Sequence, residues 1–271
     1  MKIKLLDLRE EILQECKDTM TSNEKLVILS AGDDKASEIY MRNKIKTGEQ
    51  LGIETIHIRC DSQAELLNNI MFYNHDNSTS GIIVQLPLPK EYNEKVFINL
   101  INPDKDVDML TDSNKAKIAL GTSLGVFPAT TTGCLKVLNK HFNSLVGLDV
   151  LLIGRSDLCN IPLQRVLSDM NCTVTLAHSK TKDLDSKIRN SDIIITATGT
   201  PNLITKNSIN EKVKLILDVS INRVNGKLCG DVTEEVYDLT DVSANPNGIG
   251  CLTTACLFLN TIKMNKLHGG N

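Results

Sequence analysis

Apolar and polar positions along this chain repeat with two different periods, and each change of period marks an element. From Leu5 to Met20 apolar residues recur every three to four positions, which predicts an amphipathic helix. Lys25 to Ser30 (KLVILS) is a short apolar run and predicts a strand. Ala36 to Leu51 returns to the helical period, with Gly52 as its stop. Ile53 to Arg59 (IETIHIR) alternates as a strand does, Ala64 to Tyr73 is helical, and Gly81 to Gln85 (GIIVQ) predicts a third strand, halted by Pro87 and Pro89. Glu91 to Ile101 predicts another helix. The polar stretch Thr111 to Lys117 reads as a connection between domains. Beyond it lie a helix at about Thr132 to Asn139 and four apolar runs: Val150–Ile153, Thr173–Leu176, Ile193–Thr196 and Leu215–Val219. Their spacing of roughly twenty residues fits strand, turn, helix, turn. Gly- and Asn-rich turns surround 244–250, and an apolar helix runs from Leu252 to about Met264. The tail KLHGGN predicts disorder. This alternation predicts an α/β fold with parallel sheets covered by helices.

Composition narrows the class. A chain of 271 residues with 41% hydrophobic and 23% charged residues builds one large domain or two ordinary ones. A net charge of -3 and aromatics at 3% give no footing for a nucleic-acid partner, which needs basic patches or stacking platforms. No apolar run approaches a membrane span, and the N-terminus lacks a targeting pattern. The default location is cytoplasmic. The eight cysteines form no C-x-x-C pair and sit mostly in apolar runs, so they read as small buried hydrophobes in a reducing compartment. No metal site is expected, since Cys and His do not cluster.

Candidate chemistry sits at strand ends. The run VLLIGRS ends a strand in Gly154 at a helix start, where main-chain N–H groups suit phosphate. The positions of the second and third fingerprint glycines hold Ser156 and Cys159. The next strand ends in TLAHSKT, with basic and hydroxyl groups where an NAD site carries an acid. Arg155, Ser179 and His178 together suit an extra phosphate, which favours NADP; an ordinary turn with a solvated arginine reads the same way. In ASEIYMRNK, Ser37, Tyr40 and Lys44 share one helix face, an aromatic ring beside an amine, although an exposed lysine next to a half-buried tyrosine gives the same pattern. In VQLPLP, Gln85 stands at a strand end and could bond both a substrate and a lysine, although an amide that only satisfies the turn looks the same. KDVDML offers two carboxylates, Asp106 and Asp108, able to take paired bonds from an amidine-like edge, although a solvated loop acid looks the same.

Together these segments resemble the bifunctional methylenetetrahydrofolate dehydrogenase/methenyltetrahydrofolate cyclohydrolase family. The resemblance runs in order through GDDKASEIYMRNK, GIIVQLPLP, INPDKDVD, FPATTTGCL, IGRS, TVTLAHSKT, DIIITATGTPNLI, DVSIN, GKLCGDV and NPNGIGCLT. It implies two domains: a catalytic folate domain of residues 1–117 plus 252–271, and a Rossmann-like NADP-binding domain of residues 118–251. It implies that Lys44, Tyr40, Gln85 and Asp108 carry the catalysis, with Tyr40 stacking on the folate, Gln85 tuning Lys44 and Asp108 binding the pterin. Ser37, Val84, Leu86, Pro246, Gly248, Ile249 and Gly250 complete the implied substrate site. Gly154, Arg155, Ser156, His178, Ser179 and Ile221 would meet NADP. A homodimer joined through the nucleotide domain, tetrahydrofolate one-carbon substrates and a place in purine biosynthesis are further implications.

The chain departs from the family pattern where Gly or Pro is usual: Met109, Thr131, Asn160, Ser220, Asn247 and Cys251 stand there instead. Asn tolerates left-handed backbone, so Asn160 and Asn247 are expected to preserve their turns. Met109 and Cys251 change the bulk beside the implied folate site. The competing readings are a member with one activity only, a non-catalytic folate- or nucleotide-binding protein, and another NADP enzyme of the shikimate-dehydrogenase kind.

Overall fold

The short apolar runs fold as parallel strands, most of them buried on both faces. A computed structural model describes residues 1–21, 23–32, 35–224, 226–243 and 246–268, and leaves out the side chains of Lys35, Ala36, Ser37 and Ile39. In chain order the elements are β1 (Lys2–Ile3), α1 (Leu6–Thr19), β2 (Lys25–Ala31), α2 (Lys35–Leu51), β3 (Glu54–Cys60), α3 (Gln63–His75), β4 (Gly81–Val84), α4 (Glu94–Asn99), α5 (Asp112–Leu120), α6 (Ala129–His141), β5 (Asp149–Ile153), α7 (Asn160–Asp169), β6 (Thr173–Ala177), α8 (Leu184–Arg189), β7 (Ile193–Thr196), β8 (Leu215–Asp218), β9 (Asn222–Val224), β10 (Lys227–Cys229), a 3-10 turn (Glu234–Asp238), β11 (Asp241–Ser243) and α9 (Ile249–His268).

The chain divides into two compact units: Met1–Glu10 with Thr130–Thr253, and Glu11–Ala129 with Thr254–Asn271. The second holds a parallel sheet in the order β3-β2-β4. Val27, Leu29 and Ala31 of β2 point to one face, where they pack with Leu66 and Ile70 of α3 and Phe97 of α4. Helix α9 comes close behind β4: a Cβ on Gly81 would press on the side chains of Val107, Leu26 and Thr261. The tightest of these is Val107, 2.5 Å from that Cβ position, while Thr261 of α9 stands at 3.4 Å.

The other unit holds a six-stranded sheet in the order β1-β11-β8-β7-β5-β6, parallel throughout. β5 lies between β6 and β7, so the winding reverses at its carboxyl end, the place where open α/β sheets bind ligands. Leu151, Ile153, Ile194, Ile216 and Val242 line one buried face. Residues 1–10 fall in this unit because β1 pairs with β11.

Three expectations change. Thr111–Lys117 is not a bare connection but the N-cap and most of α5: the Thr111 hydroxyl accepts from Asn114 N, and Gly121 closes the helix with φ of 72°. The helix expected over Glu91–Ile101 shortens to α4, because the Asn93 side chain caps it by accepting from Val96 N. Lys266 to His268 continue α9 rather than fraying, while Gly269, Gly270 and Asn271 lie outside the described residues. The cysteines are free thiols; five are buried, and Cys172, Cys229 and Cys251 are half-buried.

Candidate active site

Lys44 leaves the third turn of α2, and Gln85 follows the last residue of β4. Gln85 is fixed at both ends, its N–H on Leu29 O at 2.8 Å and its side-chain amide on Leu86 O at 2.8 Å. Its remaining acceptor, Oε1, takes a hydrogen bond from Lys44 Nζ at 2.9 Å. Burial lowers the Lys44 pKa, against the pull of the Asp108 carboxylate, which raises it. Asp108 shows the mirror image: burial raises its pKa, the Lys44 ammonium opposes, and Asp106 adds to the rise. Desolvation dominates for both partners, so each is displaced toward its neutral form.

Asp106 and Asp108 part company in the fold. Asp106 is buried and accepts from Thr111 N at 2.8 Å and Asn114 Nδ2 at 3.0 Å, which holds the start of α5. Neither acid is a solvated loop residue. Met109 follows with φ of 57° and only 2% exposure, so a left-handed backbone persists here without glycine and the side chain fills the core. Tyr40 stands one helical turn before Lys44 and is 42% exposed. Val84 packs in the core, and Leu86 is half-buried. The Ser37 side chain lies outside the described residues.

The nucleotide candidates gather in the other unit. Gly154 ends β5 with φ of 107°, and a Cβ there would lie 2.5 Å from Ala197 O. No other residue fits this turn. Register pairs Ile153 with Ala177, so Gly154–Ser156 and His178–Ser179 leave neighbouring strand ends side by side. Arg155 and Ser179 are exposed, Ser156 is half-buried at the entry to α7, and His178 Nδ1 accepts from Lys180 N at 3.2 Å. A helix N-terminus, a guanidinium and two hydroxyls are a donor set for phosphate. Ile221 follows β8 and is 45% exposed.

Pro246 is exposed, Gly248 and Ile249 are buried, and a Cβ on Gly250 would touch the Ile221 side chain at 3.5 Å. The Ile249 side chain is fully buried, and its carbonyl accepts from the Thr253 hydroxyl at 3.4 Å.

Residues 3–108 match the catalytic domain of tetrahydrofolate dehydrogenase/cyclohydrolase, and residues 128–269 match its NAD(P)-binding domain. The chain belongs to the tetrahydrofolate dehydrogenase/cyclohydrolase family. It is 38% identical over 268 residues to the bifunctional protein FolD of Rickettsia massiliae, covering 97% of this chain and 92% of the relative. The bifunctional FolD enzyme of Campylobacter jejuni superposes with a TM-score of 0.91 at 35% identity over 96% of each chain. The FolD enzyme of Trypanosoma brucei, solved with NADP cofactor and an inhibitor, superposes at 0.90 with 25% identity, over 98% of this chain and 97% of that one.

Within the family pattern, the unusual residues are built into the structure. Asn247 has φ of 71° and keeps its turn, as expected. Asn160 does not use a left-handed backbone: it opens α7, and its amide donates to Ile153 O at 2.8 Å and Gly154 O at 3.1 Å. Thr131 Oγ1 donates to Leu158 O at 2.9 Å. Cys251 is half-buried near the start of α9, and its N–H donates to Gly248 O at 3.1 Å. Ser220 bonds two loops at once. Its partner Asp231, inside the segment GKLCGDV, is the buried polar centre that reading by motif passed over.

Proposed function

We propose that this chain oxidises 5,10-methylenetetrahydrofolate to 5,10-methenyltetrahydrofolate with NADP and hydrolyses the methenyl form to 10-formyltetrahydrofolate. The observation that carries the reading is the held lysine, with Lys44 Nζ on Gln85 Oε1 at 2.9 Å and under the field of Asp108, in a chain of this family. Tyr40 offers a ring face to the folate and Asp108 a carboxyl group to the amidine-like edge of the pterin. Gly154, Arg155, Ser156, His178 and Ser179 hold the phosphates, and Arg155 answers the additional one. Bound NADP supplies the hydride acceptor. The folate nitrogens stabilise the cation left behind, so the protein's part in that step is positioning.

Hydrolysis asks more of the side chains. Water adds to the methenyl carbon and gives a proton to neutral Lys44; the C–N5 bond then breaks as Lys44 returns a proton to N5. The second hydroxyl proton leaves as the formyl C=O forms, so one proton is released per turnover. A lysine with an ordinary pKa is almost wholly protonated near neutrality; burial makes the neutral amine accessible. Gln85 keeps Nζ in place through both transfers.

The same reading makes the protein a cytoplasmic homodimer joined through its NADP-binding domain, supplying formyl groups to purine biosynthesis without a nucleic-acid partner. The family resemblance supports it, as does the net charge of -3 for the last point. No helix among the described residues is long and apolar enough to cross a membrane.

The test follows reduced nicotinamide and methenyl absorbance together, with methylenetetrahydrofolate and NADP, and then with methenyltetrahydrofolate alone. Wild-type protein is expected to do both reactions. Lys44→Met should lower hydrolysis by about a hundredfold or more while NADP affinity stays. Undiminished hydrolysis in that variant would remove Lys44 from its role.

A further inference from the structure

Asp231 lies between β10 and the 3-10 turn and is fully buried. Its oxygens take donors from two separate loops. Oδ2 accepts from the Thr196 hydroxyl at 2.7 Å, the Thr198 hydroxyl at 2.7 Å, Thr198 N at 3.0 Å and the Ser220 hydroxyl at 2.7 Å. Oδ1 accepts from Thr200 N at 2.9 Å and Asn222 Nδ2 at 3.1 Å. A carboxylate taken out of water is tolerated only when its lone pairs are met this fully. The Ser220 hydroxyl joins the same loops a second time, accepting from Thr198 N at 3.0 Å and Gly199 N at 3.1 Å.

The two loops are 196–200, leaving β7, and 220–222, leaving β8, at the carboxyl edge of the sheet. Ile221 sits between two residues that both bond Asp231, with nearly half its surface exposed. Its backbone is therefore pinned on either side while its side chain stays available.

We propose that Asp231 is the positioning residue of the hydride-transfer half of the site: with Ser220 as a strut, it sets the two loops beside the nicotinamide ring before the cofactor binds. The inference rests on the reading that this sheet edge holds NADP. It gives Ser220, where the family pattern has glycine, a definite task. A hydride transfer is sensitive to displacements of about 1 Å, whereas the hydrolysis transfers no hydride and needs no nicotinamide. Loosening Asp231 should separate the two activities.

The experiment measures dehydrogenase kcat, KM for NADP, methenyl hydrolysis and melting temperature for wild type, Asp231→Asn and Ser220→Ala. Asp231→Asn is expected to lower dehydrogenase kcat and raise KM for NADP, together by about tenfold or more, with hydrolysis within about twofold of wild type. Ser220→Ala should show the same split in smaller measure, and it decides alone if Asp231→Asn does not fold. Unchanged dehydrogenase in both variants overturns the inference, as does a parallel loss of both activities with a lowered melting temperature. Wild-type protein that hydrolyses methenyltetrahydrofolate but fails to bind NADP overturns the cofactor reading itself, and this inference with it.

Discussion

Asp218 ends β8 beside Asp231, and burial pushes its carboxyl up to about 7. A Cβ on Gly230 would collide with that carboxyl, so only glycine lets the two segments close. Asp231 moves the opposite way, held below the usual range because its hydrogen bonds outweigh desolvation. The folded state therefore binds the Asp218 proton more tightly than the unfolded chain, whose aspartates titrate at about 3.9. The stability this contributes is complete below about pH 4 and is lost as pH rises toward 7. Denaturant melts of wild type and Asp218→Asn from pH 4.5 to 7.5 should show a difference curve that falls across that window; parallel curves would clear Asp218 of the effect. Lys44, Gln85 and Asp108 were legible because each is a polar residue at a fixed place in a continuous motif. Asp231 was not, since its meaning depends on donors at 196, 198, 200, 220 and 222, which adjoin only after two strands pair. Ser220 and Asn160 looked like lost glycines for the same reason: their hydrogen bonds go to residues distant in sequence or hidden in the turn.

Among the elements, α5 shows what period counting misses. TDSNKAKIALG has one strongly buried apolar side chain, Ile118, so no amphipathic stripe stands out. Its signals are at the ends, Thr111 as cap and Gly121 as stop. Thr111→Ala should cost about 1 kcal/mol, the usual worth of an N-cap, in urea melts, and Thr111→Ser should recover most of it; no loss in the alanine variant would show that Asp106 alone holds the helix start. The long strands and helices were readable because burial on both faces leaves unbroken apolar runs and one-sided burial leaves a stripe. β1, with two residues, and β9 and β10, with three each, are too short for any period, and pairing alone defines them.

At the scale of the whole molecule, the proposed homodimer predicts a light-scattering mass of twice the 29.8 kDa chain at micromolar concentration; a single chain mass would sink that part of the reading. β6 is the outer strand of its sheet, with Thr173 and Thr175 exposed, and no second strand pairs with it on its far side among the described residues. The α/β class was legible from the order of elements, and the return of the last helix from the family resemblance. The placing of the first ten residues was not, because it rests on β1 meeting β11 some two hundred and forty residues away. Neither unit is a continuous piece of chain, and this bears on how the protein is made. A ribosome delivers residues 11–129 early, yet Asn260 must arrive before its amide can satisfy Val107 O and Phe127 O, and Thr261 before the back of Gly81 is covered. Through most of synthesis the segment bearing Lys44 waits with that face of its sheet uncovered. The part that is translated first is thus among the last to be finished, and a nascent chain halted before residue 254 would lack the helix that closes it.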